Sequence, residues 1–127
     1  MTSFELPAVV LRDVLKDRLP GDTVYITVPR DHASSYVHIL SRGGTRQANG
    51  QLSSRQMQLL AYGPSSGVAA DLCERAVSAL VAAGKDPAVK RLRRCTVAAE
   101  PADYADPDTG APRATATVVV LLRATTP

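Results

Sequence analysis

Residues 113–124 read Arg-Ala-Thr-Ala-Thr-Val-Val-Val-Leu-Leu-Arg-Ala and hold the most apolar run of the chain. Valine and threonine suit a pleated strand better than a helix. The unbroken stretch Val118–Leu122 predicts a strand at the centre of a sheet, buried on both faces. Working back from it, residues 101–112 place Pro, Asp and Gly where a loop needs them. Val89 to Ala99 reads as a fourth strand, although four basic residues interrupt its pattern. Before Asp86-Pro87 lies Gly67 to Ala83, which is rich in alanine and free of proline. Ala69, Leu72, Cys73, Ala76, Leu80 and Ala83 form an apolar stripe at helical spacing, with Val77 and Val81 beside it. The serines of Gly63-Pro64-Ser65-Ser66 offer a cap, and Gly84 suits a left-handed closing residue.

The first half completes the pattern. Leu6 to Leu19 predicts a helix, with Val10, Leu11, Val14 and Leu15 on one side and Pro7 in the first turn. Pro20-Gly21 ends it. Residues 23–28 alternate, Val24, Ile26 and Val28 against Thr23, Tyr25 and Thr27, and Pro29 closes this first strand. A second strand covers Ser35 to Ser41 and a third Ser54 to Tyr62. The Gly- and Asn-rich loop Arg42–Gly50 joins them as a long hairpin. The order is helix, three strands, helix, two strands. It predicts a single α+β domain over residues 1–127, with two helices on a mainly antiparallel five-stranded sheet.

A chain of 127 residues, 45% hydrophobic, can bury a core without disulfides or a metal. Aromatics are only 4%, with one Phe and no Trp, so aliphatic residues and alanine must fill that core. No apolar run is long enough to cross a bilayer. Met1-Thr2-Ser3-Phe4-Glu5 has no basic start or apolar stretch of signal-peptide kind, so the chain is expected to remain in the cytoplasm of the cell that makes it. Cys73 and Cys95 have no metal-ligand or redox spacing and are expected to be reduced and buried. The net charge is +3, unevenly spread. No acidic residue lies between Asp31 and Asp71, a stretch holding Arg42, Arg46 and Arg55. Lys85, Lys90, Arg91, Arg93 and Arg94 follow, then Glu100, Asp103, Asp106 and Asp108. Such segregation marks opposite surfaces or solvated faces.

Chemistry-bearing patterns are sparse. His32 and His38 stand apart with no H-x-x-x-H spacing, and no serine lies in a nucleophile elbow. Arg42-Gly43-Gly44-Thr45-Arg46 has the glycines and charges to hold a phosphate. It lacks the Gly-Lys-Ser/Thr ending and the following helix of a nucleotide loop, and reads as a hairpin tip. Asp103, Asp106 and Asp108 lack the distal Glu of a calcium loop. Neither a stacking groove nor a dense basic patch for nucleic acid is apparent. No catalytic residue, metal ligand or cofactor site is therefore assigned.

Several segments, taken in order, resemble the tail terminator proteins of long-tailed, siphovirus-type bacteriophages, especially those of actinobacteria. They are Arg18-Leu19-Pro20-Gly21 with Val24-Tyr25-Ile26-Thr27-Val28-Pro29, then residues 36–46, Tyr-Val-His-Ile-Leu-Ser-Arg-Gly-Gly-Thr-Arg. Leu60-Ala61-Tyr62-Gly63, the Ala-rich helix and Asp106-Pro107-Asp108-Thr109-Gly110-Ala111-Pro112-Arg113 complete the likeness, which spans nearly the whole chain. Leu52-Ser53-Ser54-Arg55 departs from the Asp-Arg-Pro-like segment expected there. The resemblance implies a structural virion protein without enzymatic activity, a homo-oligomeric and specifically hexameric ring at the head-proximal end of the tail. It would cap the tail tube, stop polymerisation and join the head-side connector, with DNA only as passing cargo. A head-completion or connector protein is the alternative, and a small nucleotide-binding or enzymatic domain a remoter one. Arg42, Arg46, Arg55, Asp106, Asp108 and Arg113 are the expected interface residues, basic groups meeting acidic ones on a neighbouring subunit or on the tube.

Overall fold

A computed structural model describes residues 4–48 and 50–124. Met1–Ser3 and Asn49, both used in the reading above, lie outside the described residues.

Helix α1 spans Pro7–Arg18 and starts without a side-chain cap, because the N-cap residue is Leu6, whose side chain has no acceptor, while Pro7 fits the first turn. Its buried residues Val10, Leu11, Val14 and Leu15 repeat at helical spacing. Leu19 N–H donates to the Leu15 carbonyl at 2.7 Å and closes the helix. Strand β1 is only Val24–Tyr25, shorter than the expected Thr23–Val28. It runs parallel to β2, Val24 opposite Val37 and Tyr25 opposite His38. A side chain then replaces the ladder, as His38 Nε2 donates to the Ile26 carbonyl at 3.0 Å.

Strand β2, Tyr36–Arg46, runs past the expected end at Ser41 and through the glycines. A bulge between Ser41 and Gly44 accommodates the extra residue. Gly43 has a φ of 92°, and a Cβ on Gly44 would fall 1.8 Å from the Ser54 carbonyl oxygen. The glycines therefore serve strand pairing, and the hairpin tip lies further on. Gln47 N–H donates to Leu52 O at 2.9 Å there. Strand β3 is Leu52–Tyr62.

Helix α2 covers Ser66–Lys85, and Ser65 Oγ accepts from Val68 N–H as the sequence predicts. Ala69, Leu72, Cys73, Ala76, Val77, Leu80 and Ala83 are its buried residues. Gly84 is not the left-handed terminator. It lies inside the helix, and a Cβ there would come within 2.5 Å of Cys95 N. Its smallness lets α2 approach the next strand.

Strand β4 begins at Leu92 and continues to Asp103, later at both ends than predicted. Pro101 is tolerated because β4 is an edge strand with three register irregularities. Strand β5, Arg113–Arg123, has β3 on one side and β4 on the other. The sheet order is β1-β2-β3-β5-β4, antiparallel except at β1, in an α+β arrangement. The helices share one core with Val37, Ile39, Met57, Leu59, Ala61, Ala116, Val118, Val120 and Leu122. Burial on β5 strictly alternates, so Val119 and Leu121 are only half-buried. The expected two-sided burial is corrected for a simple reason: both helices pack against the same side. Among the described residues, no helix is long and apolar enough to cross a membrane.

Candidate functional site

The sheet separates the charges along its strands. At one end β2, β3 and β5 align Tyr36, Tyr62 and Arg113. Ten residues further along β5, the opposite end aligns Leu52 with Arg123 and carries Arg46 and Leu92 nearby. At about 3.3 Å per residue these ends are about 33 Å apart.

The first end collects the four tyrosines of the chain. Tyr36 and Tyr62 stack with centroids 4.7 Å apart, Tyr25 lies 5.3 Å from Tyr36, and the His32 ring 4.9 Å from Tyr36. Arg113 sits over both Tyr62 and Tyr104. Tyr36 is buried while Tyr104 is 60% exposed, so the row runs from interior to surface. Burial raises the Tyr36 and Tyr62 hydroxyls above their ordinary range. Tyr62 Oη donates to Asp106 Oδ2 at 2.9 Å.

Asp106 organises the acidic turn. Its Oδ1 accepts from Asp108 N–H at 2.8 Å and Thr109 N–H at 3.3 Å, and Gly110 N–H donates to its carbonyl at 2.7 Å. The amide of Asp108, then the Tyr62 hydroxyl, hold the Asp106 carboxyl below the usual carboxylate range. This Asx-type turn leaves Pro107 and Asp108 exposed at its tip. Glu100 and Asp103 are exposed on β4 toward the same end.

The second end is basic. Six strand arginines lie away from the acidic turn, Arg42, Arg46, Arg55, Arg93, Arg94 and Arg123, and a seventh, Arg113, lies beside it. Among the described residues none of them has a carboxylate within 4.0 Å. Among the described residues Arg12, Arg18, Arg75 and Arg91 hold the ion pairs, on the helix side of the molecule. Arg91, grouped by sequence with the other basic residues, bonds Glu5 at 2.6 Å and Asp13 at 2.9 Å. These pairs tie the segment before β4 to α1 and its approach.

Where α2 ends and β4 begins there is a cleft of about 250 Å³. Lys85, Lys90, Arg93 and Arg123 line it, with Asp86 as its one acidic residue. Asp86 is already engaged, since one oxygen accepts from Ala88 N–H and the other bonds Arg18 at 2.7 Å. Those contacts hold its carboxyl below the usual range. The four cations have no side-chain hydrogen bond or ion pair with other described residues. A wider depression at Arg18, Glu74 and Arg75 differs, because both its arginines are paired internally.

The expected interface residues therefore divide into two groups. Arg42, Arg46 and Arg55 lie on the distal β2–β3 arm, where residues 41–48 are exposed throughout. Arg42 Nε donates to Gln58 Oε1 at 2.9 Å, Arg46 lies over Phe4, and Arg55 Nε donates to the buried Ser53 Oγ at 2.6 Å. Asp106, Asp108 and Arg113 lie at the other end. Arg113 belongs with the acidic turn and does not extend the basic arm. The tyrosine row escaped sequence reading because positions 25, 36, 62 and 104 share no local period. Arg123 lies far in sequence from Lys85, Lys90 and Arg93, and only the fold brings it to them.

Cys73 and Cys95 are free and buried, and burial pushes both thiols up to about 12. Among the described residues no group of three or more His, Cys, Asp or Glu side chains is placed to hold a metal ion. No protein-family model matches the chain, and no curated protein matches it significantly.

Proposed function

We propose that this chain is a structural virion protein of a long-tailed bacteriophage, a tail terminator that forms a ring on the finished tail tube. The ring stops tube polymerisation and offers its other side to the head-side connector; DNA is cargo passing through its lumen. The sequence segments quoted above support the family reading. The observation that carries the mechanism is the division of one rigid sheet into an acidic, tyrosine-buttressed end and a basic end with a projecting arm.

Such a body suits joining work. A joint needs unlike surfaces held at fixed separation, and a five-stranded sheet backed by two helices keeps its ends in register. Fixed charges at each end exclude like-charged approaches and set orientation, contributing more to partner choice than to affinity. The exposed arm at residues 41–48 adds reach beyond the packed core. Function is then stoichiometric, one ring per tail.

The test is genetic and structural. A phage lacking this gene should produce tails of uncontrolled length by electron microscopy, and the purified protein added in time should restore uniform tails. Replacing both Arg42 and Arg46 by Glu should abolish rescue while leaving the monomer folded. Normal tails in the deletion would reject the reading. Tails of normal length that fail to join heads would instead favour a connector protein.

A further inference from the structure

We infer that copies of this chain join head to tail, the acidic turn Asp106–Thr109 of one copy seating against the basic cleft formed by Lys85, Lys90, Arg93 and Arg123 of the next. The inference deepens the ring proposal by naming its subunit contact, and rests on it only for the final closure.

Charge is the first argument. The cleft gathers four cations with no partner among the described residues around a single carboxylate already committed to Arg18. Asp108 sits at the exposed tip of the turn, and no cation among the described residues pairs with it. One molecule thus carries both halves of a complementary contact. They sit at opposite ends of its own sheet, so they cannot satisfy each other within one copy.

Shape and rigidity are the second argument. A volume of about 250 Å³ suits one or two side chains at the point of a turn, and not a whole element. The turn is ordered before any partner arrives. Asp106 holds the amides of Asp108 and Thr109, and Tyr62 holds Asp106. Little conformational entropy remains to be lost on docking, which is the main cost of binding with a loop. Arg113 lies on the inner side of the turn, donating to the Tyr104 carbonyl at 3.0 Å, so its charge is set back from the tip.

Geometry supplies the consequence. A contact between unlike patches is heterologous, and every open assembly of copies keeps one free half at each end. Repetition gives a ring if the rotation between neighbours closes and a filament if it does not. Because the patches lie at the strand ends, the strands would run along the direction of assembly.

Paired charge reversal tests this on the full purified chain. Asp108→Lys puts a cation at the tip of the turn, and Lys90→Glu with Arg93→Glu replaces two of the four cleft cations by carboxylates, so each variant loses the complementarity of its own two patches. All three positions are exposed and lack side-chain partners among the described residues, so folding, checked by circular dichroism, should persist. Sedimentation at 50 mM salt should show wild-type oligomers that dissociate at 1 M salt, as screening requires. Each reversed variant alone should lose at least about tenfold in association. A 1:1 mixture of the two should recover it, since each then meets its opposite. Should either variant misfold, Asp108→Cys mixed with Lys90→Cys should form a disulfide between copies under mild oxidation. A monomeric wild type, a mixture that stays monomeric, or no such disulfide would each overturn the contact. None of these touches the deletion phenotype, so the contact and the tail-capping role fail separately.

Discussion

Replacing Gly84 by Ala sets two known effects against each other at one atom. In a helix interior alanine is preferred over glycine by about 1 kcal/mol, and Gly84 lies one residue before the end of α2. Against this, the new Cβ would sit 2.5 Å from Cys95 N and 3.0 Å from Arg94 C, both backbone atoms, whereas ordinary contact begins near 3.4 Å. Relief needs α2 and β4 to separate locally by about 0.9 Å (3.4 − 2.5). Neither partner atom belongs to a flexible side chain, so the strand itself must shift. Overpacking of this kind costs about 1–3 kcal/mol. The steric cost exceeds the helical gain, and Gly84→Ala should be destabilised by about 1 kcal/mol. Gly67→Ala is the internal reference, because its nearest neighbour would be Ser65 Oγ at 4.0 Å. That variant should be neutral or stabilised by up to about 1 kcal/mol. Urea unfolding at equal m-value measures both. Stability of Gly84→Ala equal to or above wild type would refute the close-approach account of this residue.

Three other outcomes follow from the structure. Gly44→Ala should open the β2–β3 arm beyond Ser41, since its Cβ would occupy the Ser54 carbonyl position; hydrogen exchange should speed up at residues 44–46 and 53–55 while the core stays protected. Cys73 and Cys95, their thiols pushed up to about 12, should resist a thiol reagent at pH 8 in the native protein and both react once it is unfolded. The carboxyl of Asp106 is lowered from the usual 3.8, so its stabilising effect is full above that value and lost as pH falls through the lowered one. Amide shifts of Asp108 and Thr109 should therefore hold steady from pH 8 to 5 and move only in strong acid, a response absent from Asp106→Ala.

Much of the architecture was legible because local chemistry and tertiary packing agree. The α2 stripe, the Ser65 cap and the place of β5 between two neighbours all follow from periodicity, cap chemistry and apolar runs. Reading failed where a residue answers to a distant one. Gly84 resembles a helix terminator until β4 is set against it. Gly43 and Gly44 resemble a loop until β3 is alongside, and the bulge then turns them into strand. Alternation at residues 23–28 matched a full strand, but His38 takes the Ile26 carbonyl and ends the ladder early. Arg91 looked like one more surface cation, and only the fold delivers Glu5 and Asp13 to it. The candidate surfaces show the same division. Charge segregation was visible in the sequence, but which charges share an end depends on strand direction, which places Arg113 with Asp106 and Arg123 with Lys90.

The position of β5 also constrains how the molecule is made. Both of its neighbours, β3 and β4, are synthesised before it, so until residues 113–123 emerge they have no partner for those edges. Without β5 the chain lacks the strand that joins β3 to β4. When β5 does appear, Thr117–Leu122 is an uncharged, strongly β-forming segment of the kind that sticks to copies of itself. Arg113 and Arg123 bracket it as charged gatekeepers against that misuse. Insertion of this strand completes the sheet, and any delay in it would leave the segment open to pairing with another chain.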